Sequence, residues 1–343
     1  MLTTAFQPHQ RRFDFARRTL PAELDTPAGG WLRRQEAIMG TAITVELWAD
    51  DPRAGAAACA AVMEEMHRID RQMSPHKPGS ELSRINREAG QRAVPLSEEM
   101  YRLVASALEF SRLSRGAFDI SYAAVGHLYD YRERRRPDDA TLAAARAAVG
   151  WKDLHLDRQA RTLRFGKPGM RIDLGGFAKG HAVDHATAIL RRRGIQHAMV
   201  SAGGDSRVIG DRRGRPWSVA IRDPRREGGV VAVLPLEDTS ISTSGDYERF
   251  FEERDGAGQV TRHHHLIDPG TGRSPSSVRS VTILAEDGLT SEALSKSVFV
   301  LGVEMGLALV ESLSGVDAAV IDAEGRLHAS AGLQNFGPTG PRP

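Results

Sequence analysis

The chain has 343 residues, of which 41% are hydrophobic, so it can bury a sizeable core as one large domain or two closely joined ones. Its 46 basic and 44 acidic residues leave a formal net charge of +2, which excludes the strong overall field typical of nucleic-acid-binding and membrane-surface proteins. A single cysteine, Cys59, excludes an internal disulfide and a cysteine-ligated metal cluster. We also expect no membrane span, because no apolar run reaches the necessary length of about 20 residues.

The first thirty residues are polar and rich in arginine. They contain no apolar segment and no cysteine that could carry a lipid, which argues against a signal peptide or lipoprotein anchor. We therefore predict a cytoplasmic protein. We expect a mobile arm at residues 1–30, one domain of two closely joined halves at residues 31–335, and a disordered tail at residues 336–343.

The first half of the chain has helical periodicity after one strand. Residues 38–49 alternate apolar and polar positions, as a half-buried strand does. Helices are predicted at residues 53–73, from Ser80 through Ile85, and from Ser97 to Arg115, with the two serines as caps. A short helix should follow residues 116–121, and another should run from residue 138 or 139 to residue 149.

The second half mixes strands and helices without a regular alternation, which favours an α+β fold over a doubly wound parallel sheet. A helix is predicted after residue 176 and ending at Gly194, and two more at residues 291–301 and 303–313. The predicted strands are residues 154–156, 162–165, 170–174, 197–201, 206–209, 217–221, 230–236, 281–285, 317–322 and 326–329.

Residues 171–190, RIDLGGFAKGHAVDHATAIL, place a strand before two glycines, a lysine and an amphipathic helix. The N–H groups and positive dipole end of such a helix suit a pyrophosphate, and Lys179, one of five lysines, would add a charge. An ordinary turn, with Asp173 as a cap and Lys179 in solvent, explains the same residues. The stretch matches neither the phosphate-loop motif nor the dinucleotide fingerprint.

Short polar, glycine-rich motifs follow one another between residues 39 and 302. They read MGT, MSPHKPGSELSRIN, GAFD, DLGGFAKGHAVD, GGD, TSGDYERFF, HHLIDPGTGRSP and EALSKSVFVLG. In wording and order they resemble the ApbE family of flavin transferases, the FAD:protein FMN transferases. The resemblance implies a flavin-transferase fold of mixed sheets and packed helices, with FAD bound in a central cleft.

The resemblance also implies an activity. Active members of the family attack the pyrophosphate of FAD with a Ser or Thr hydroxyl of a target flavoprotein, which leaves FMN on the target and releases AMP. Positioning and charge neutralisation supply most of the rate in such a transfer, and Mg²⁺ suits the task because it takes oxygen ligands and bridges phosphates. The alternatives are an FAD-binding relative without transferase activity, such as a carrier, pyrophosphatase or regulatory subunit, and a domain that binds another nucleotide.

The resemblance assigns cofactor-binding positions residue by residue. His76 stands where the family has a tyrosine that packs on the flavin, and its ring can still stack. Gly176 matches the position whose carbonyl reaches the metal. Thr243 and Ser244 are candidates for cofactor binding or for capping a helix implied by YERFF, a role that we favour for Asp246. The positions that match the lining of the FAD site are Met39, Ala117, Phe118, Asp119, Asp173 and Lys179.

The resemblance places His265 and Asp268 beside the reacting phosphates, where an imidazole could relay the proton of the attacking hydroxyl. A histidine-rich strand with alternate rings pointing outward explains His263, His264 and His265 as well. A zinc site made from the triplet is disfavoured, because at most two of its rings share a side.

The metal site departs from the family pattern, in which an Asp is followed four residues later by a Thr. This chain has Glu292 and Lys296, and a protonated lysine cannot be a ligand. Three interpretations stay open: a solvent-facing helix pair with the metal elsewhere, an ammonium that partly replaces the metal, and magnesium held by Glu292, the Gly176 carbonyl, phosphate and water. We favour the last two and assign both residues to the catalytic site.

Overall fold

The computed structural model describes residues 29–336, so nearly all of the predicted arm and tail lies outside the described residues. The helices are α1 (Pro52–Met73), α2 (Glu81–Glu88), α3 (Glu98–Leu113), α4 (Ala123–Gly126), α5 (Asp139–Arg146), α6 (Ala178–Arg192) and α7 (Gly288–Glu311). The strands are β1 (Gly30–Ile38), β2 (Thr41–Ala49), β3 (Val94–Pro95), β4 (Leu154–Asp157), β5 (Thr162–Phe165), β6 (Ala198–Ala202), β7 (Asp205–Ile209), β8 (Trp217–Arg222), β9 (Val230–Leu236), β10 (Ser240–Gly245), β11 (Phe250–Arg254), β12 (Val260–His264), β13 (Val278–Ala285), β14 (Asp317–Asp322) and β15 (Leu327–Ala329).

One antiparallel sheet of eight strands organises the molecule, in the order β1-β2-β6-β7-β10-β13-β14-β15. Smaller sheets are formed by β3-β5-β4, β8-β9 and β11-β12. Antiparallel strands mixed with helices confirm the predicted α+β class.

The large sheet is covered on both faces. Helices α1, α6 and α7 pack on one face, and the β8-β9 hairpin covers part of the other. Successive side chains of a strand point to opposite faces of the sheet, so each strand contributes to the packing on both faces. On β13, for example, Ile283 packs in the core beside α7, and its neighbour Leu284 packs with Trp217 and Leu234 of the hairpin.

The two helix caps predicted at serines are confirmed. Ser80 Oγ accepts a hydrogen bond from Ser83 N at 3.0 Å at the start of α2, and Ser97 Oγ accepts one from Met100 N at 3.2 Å at the start of α3. The two helices expected at residues 291–313 form α7, which is interrupted at Gly302, where φ is +80°. Only glycine adopts this conformation readily, so it separates the two segments.

Helix α7 qualifies the expectation that no stretch could span a membrane. Among the described residues it is the one helix long and apolar enough to do so by length and composition. Half of that apolar window is buried, and the helix packs against β10, β13 and β14 as the core helix of a sheet does.

Two sequence predictions are wrong. Residues 170–174 form no strand: the side chain of Asn86 pairs with the backbone of Ile172, donating to its carbonyl at 2.9 Å and accepting from its N–H at 2.8 Å. The helix expected after Asp246 is the strand β11, which pairs with β12. The Asp246 carboxylate therefore caps no helix, and it binds the guanidinium of Arg225 at 2.7 and 2.5 Å.

Candidate active site

The N-terminal turns of α6 and α7 cross at two glycines. A Cβ atom on Gly180 would collide with the carbonyl oxygen of Gly288, and one on Gly288 would lie 2.5 Å from the carbonyl oxygen of Gly180. The side chain of Phe177, at the N-cap position of α6, makes no capping hydrogen bond, and Glu292 of α7 accepts one from Gly180 N at 2.6 Å instead. The close crossing thus brings a carboxylate to the positive end of α6.

Four charged side chains meet at this crossing. The ammonium of Lys179 donates to Asp205 Oδ2 and to Glu292 Oε1, and Lys296 donates to the same Glu292 oxygen at 3.2 Å. Glu292 is 0% exposed and Asp205 is 2% exposed. The side chains of Lys179 and Lys296 are 24% and 18% exposed. The cluster is neutral overall, and its positive members are the ones that a ligand can reach.

The two lysines are held differently. Burial tends to lower the pKa of Lys179, but the attraction of Asp205 and Glu292 outweighs it and keeps this pKa above its usual range. For Lys296 burial prevails over the same attractions, so its pKa is lowered. Burial also tends to raise the pKa of Asp205, and the charges of Lys179 and Lys296 hold it below its usual value. Lys296 is therefore the less tightly held cation.

Serines of β10 line the cluster. Ser242 donates to Asp205 Oδ1 at 2.5 Å, and the hydroxyls of Ser242 and Ser244 lie 3.1 and 2.8 Å from that of Ser295 on α7. Thr243 alternates to the other face of the strand, where its hydroxyl lies 2.9 Å from a threonine of β13. Of the two predicted cofactor-binding residues on this strand, Ser244 shares the side of Glu292 and Thr243 does not.

Asp173 precedes the glycine turn, as the sequence indicates. Its carboxylate accepts a hydrogen bond from Gly175 N at 2.6 Å, and the exposed His76 and the Tyr122 hydroxyl lie close to it. Burial raises the pKa of Asp173 despite these interactions. His76 and Asp173 are thus brought together, next to the residues that lead into Lys179.

Phe118 and Gly176, both predicted site residues, contact each other. A Cβ on Gly176 would lie 3.3 Å from the ring of Phe118, which is 4% exposed and packs edge-to-face on Phe177 at 5.6 Å. Phe118 therefore supports the turn from behind, while Ala117 beside it is partly exposed.

The carboxylate of Asp119 accepts hydrogen bonds from nearby backbone N–H groups. It accepts hydrogen bonds from Ser121 N at 2.8 Å and Trp151 N at 2.9 Å. Burial raises the pKa of Asp119, and these bonds oppose the rise. The arrangement gives Asp119 a positioning role for the GAFD segment, and its predicted contact with FAD stays a prediction.

The β1-β2 turn, Arg249 and His265 are neighbours. Met39 and Gly40 have φ angles of +54° and +70°, and a non-glycine residue at positive φ is strained, a feature that clusters at functional sites. A Cβ on Gly40 would lie 3.5 Å from the Arg249 guanidinium, and His265 N donates to the Arg249 carbonyl at 3.1 Å. Burial, together with the charges of His264, Lys296, Arg249 and Lys179, lowers the pKa of His265 to about 3.

The other histidines and Asp268 have structural partners. His263 and His264 end strand β12, as a histidine-rich strand would have it, but both are buried, so neither ring points outward as that interpretation expects. The His263 ring bonds to Glu253 at 3.1 Å and the His264 ring to the Pro275 carbonyl at 2.9 Å. Asp268 accepts hydrogen bonds within its own turn, from Gly270 N at 2.8 Å and from a threonine hydroxyl at 2.9 Å. Asp268 thus shapes the loop that follows His265.

Comparison with known proteins identifies the family. The model of the ApbE family matches residues 39–320. The chain belongs to the ApbE family. It is 34% identical over 322 residues to the FAD:protein FMN transferase of Treponema pallidum, and this match covers 88% of this chain and 87% of that protein. It is also 34% identical over 254 residues to the FAD:protein FMN transferase of Vibrio cholerae, a match that covers 72% of this chain and 74% of that protein.

Solved structures of the ApbE family share the fold. The ApbE protein of Thermotoga maritima superimposes with a TM-score of 0.81 and 31% identity, over 90% of this chain and 99% of that one. The apo flavinyl transferase ApbE of Pseudomonas stutzeri gives a TM-score of 0.80 at 28% identity, over 93% and 100%. The relatives from Treponema pallidum, Vibrio cholerae and Pseudomonas stutzeri are named as transferases, so the alternative of an FAD-binding relative without activity is not favoured.

The surroundings of Glu292 do not fit a magnesium ion. One carboxylate oxygen accepts from both Lys179 and Lys296, and the other accepts from Gly180 N, so a cation would have to displace two ammonium groups. The solvent-facing pair considered from the sequence is also wrong, because Glu292 and Phe299 on the same side of α7 are fully buried. The arrangement favours the interpretation in which the ammonium of Lys296 takes the place of the metal charge.

Several residues of this site, among them Asp205, Arg249 and Asp184, are not predicted singly from the sequence. Asp205 stands in the GGD motif and Arg249 in the YERFF motif, so the motifs contained the signal. Asp184 accepts from Gly288 N at 2.7 Å and Leu289 N at 3.0 Å, and caps α7. That role depends on a crossing of two helices distant in sequence, which local pattern does not reveal.

Proposed function

We propose that this ApbE-family enzyme transfers FMN from FAD to a Ser or Thr hydroxyl of a target flavoprotein and releases AMP. The observation that carries the proposal is the pair of lysine ammoniums, partly exposed beside the N-terminus of α6, with Glu292 and Asp205 buried behind them. A helix N-terminus and cations that face solvent suit the pyrophosphate of FAD.

Charge balance favours Lys296 and Arg249 as the groups that meet the phosphates. Among the residues that the structure describes, Lys179 is held by two carboxylates, whereas Lys296 has a single hydrogen bond, at 3.2 Å, and Arg249 is exposed. If the Lys296 side chain turns away from Glu292 and toward the ligand, Lys296 and Arg249 together present two positive charges to a pyrophosphate group. Neutralisation of this kind stabilises the charge that develops during phosphoryl transfer.

The proposed step forms one bond and breaks one. The acceptor oxygen attacks the phosphorus of the FMN half, the phosphorus–oxygen bond to AMP breaks, and AMP leaves with the bridging oxygen. His265 is the proposed acceptor of the hydroxyl proton, because its backbone is hydrogen-bonded to Arg249 and its Nδ1 has no hydrogen-bond partner among the described residues. This nitrogen is buried, so the ring has to turn toward the ligand to reach the hydroxyl. The anionic phosphates would raise its pKa from about 3 toward the range of a useful base.

Magnesium is the cofactor that the sequence predicts, and the proposed step does not use it. The test incubates the protein with FAD, a target protein and either Mg²⁺ or EDTA, and measures target mass and AMP. A target whose acceptor Ser or Thr is changed to Ala is the control. We expect one FMN per target, one AMP per FMN, and transfer that persists in EDTA.

The experiment tests two claims independently, namely the transferase function and the replacement of the metal by Lys296. No mass gain in either condition, with FAD still bound, would remove the transferase function. Transfer that requires Mg²⁺ would remove only the replacement of the metal by Lys296. Lys296→Met should slow transfer, whereas Lys152→Met, which changes an exposed lysine near Trp151, should not.

A cytoplasmic location is likewise a proposal, made from the polar, arginine-rich composition of residues 1–30. Detection of the native protein in the periplasmic or membrane fraction of its cells would contradict it.

A further inference from the structure

A second cluster lies on α6, away from Glu292. His181 and His185, one helical turn apart, face Glu99 of α3: His181 Nε2 lies 2.8 Å from Glu99 Oε1, and His185 Nε2 lies 3.9 Å from the same oxygen. Among residues 29–336, these three form the one group of metal-ligating side chains whose ligand atoms all lie within 4.8 Å of one another.

Two residues of α1 orient this group. Glu65 lies 2.7 Å from His185 Nδ1, and a ring N–H donated there leaves His185 Nε2 without a proton and directed toward Glu99. Arg68 donates to both oxygens of Glu99, at 2.7 and 2.8 Å, and to both oxygens of Glu65, at 2.8 and 2.7 Å. A carboxylate behind the histidine and fixed ligand orientations are typical of built metal sites.

We propose that Glu99, His181 and His185 bind a borderline divalent cation such as Zn²⁺, which ties α3 to α6 and, through Glu65 and Arg68, to α1. Two imidazoles and one carboxylate form a donor set suited to zinc and unsuited to magnesium. With a water as fourth ligand, the site has the open coordination of three protein ligands.

The distances allow this with small movements. Ligand atoms of a tetrahedral zinc site, each about 2.0–2.1 Å from the ion, lie about 3.3 Å from one another. The separations of 2.8 and 3.9 Å from Glu99 Oε1 bracket that value, so side-chain rotations suffice. The ion replaces the hydrogen bond between His181 and Glu99.

Charge and access also favour a cation. Glu65, Glu99 and Arg68 sum to one negative charge, which attracts a cation. The side chain of His185 is 40% exposed, so an ion can enter from solvent, while that of His181 is 12% exposed. The inference does not depend on the proposed transferase function.

The test titrates untagged full-length protein with Zn²⁺, and separately with Co²⁺, in excess Mg²⁺. We expect one tight equivalent and the intense visible bands of four-coordinate Co²⁺. His185→Ala and His181→Ala should weaken binding at least tenfold, and Glu65→Gln about tenfold through lost orientation. His67→Ala is the matched control, because the side chain of His67 is 43% exposed and lies 3.0 Å from a glutamate, as a histidine of the proposed site does, yet among the described residues it belongs to no such group.

Two results would overturn the site: no saturable Zn²⁺ or Co²⁺ binding by the unmodified protein, and binding by His185→Ala that equals that of His67→Ala. If the alanine variants do not fold, X-ray absorption of the unmodified protein with one Zn²⁺ decides. Two imidazoles and a carboxylate around the ion would support the site, and fewer than two imidazoles would contradict it.

Discussion

Asp184 and Glu292 cap each other's helices. Asp184 of α6 accepts hydrogen bonds from Gly288 N and Leu289 N at the start of α7, and Glu292 of α7 accepts one from Gly180 N at the start of α6. Each carboxylate stands four residues after the glycine of its own helix at the crossing. Glu292, for which the sequence predicts a role in metal binding, is therefore also part of the helix packing.

The first prediction concerns the crossing. Gly180→Ala should lower the free energy of unfolding by about 2 kcal/mol or more, because the added methyl meets the backbone of Gly288 and neither helix can yield locally. Urea unfolding measures the loss. Gly79→Ala, where a Cβ would meet nothing within 4 Å, is the control and should be nearly neutral. Equal stabilities of the two variants would contradict the close crossing.

A second prediction concerns the buried charges. Glu292→Gln removes the carboxylate that both Lys179 and Lys296 contact and should cost about 3–5 kcal/mol of unfolding free energy. Adding Lys296→Met should recover about 1–2 kcal/mol, because it removes the excess charge. The control Glu304→Gln, exposed on the same helix, should change stability by less than about 0.5 kcal/mol. Strict additivity of the two changes would mean that the side chains do not interact.

Local signals in the sequence predicted much of the fold. Ser80 and Ser97 were recognisable as caps because each bonds within its own helix. Strand β10, SISTSG, was missed because its inward serines bond to Asp205 and Ser295 instead of packing as apolar residues. Residues 170–174 have the composition of a strand, but their partner is a side chain, which no periodicity reveals.

The candidate site was also predictable only in part, because local motifs are visible in the sequence and contacts between distant residues are not. Its motifs identified Lys179, Glu292 and Lys296, but Lys179 and Glu292 are 113 positions apart, and their direct contact depends on the helix crossing. The sequence therefore left the solvent-facing, metal-replacing and metal-binding interpretations open, and burial of Glu292 removes the first.

A third prediction restores the family's metal pair. The double change Glu292→Asp and Lys296→Thr removes an ammonium and supplies a shorter carboxylate with a hydroxyl, both oxygen ligands for magnesium. AMP release should then depend on Mg²⁺ and rise at least about tenfold with it, which corresponds to about 1.4 kcal/mol of barrier. The single change Lys296→Thr is the comparison. If the double variant releases AMP at the same rate with and without Mg²⁺, the site is adapted to Lys296 in some other way.

The last prediction concerns His265. Its pKa is lowered from 6.5 to about 3 by burial and by nearby positive charges, so the folded protein binds fewer protons than the unfolded chain between these pH values. Stability from this residue is complete above pH 6.5 and is lost as the pH falls toward 3, by up to about 1.4 kcal/mol per pH unit. Urea unfolding at several pH values should show a steeper acid loss for the unmodified protein than for His265→Gln. His155→Gln, at an exposed position on β4, should follow the unmodified protein. Parallel pH profiles of the unmodified protein and His265→Gln would mean that His265 is not kept neutral by the fold.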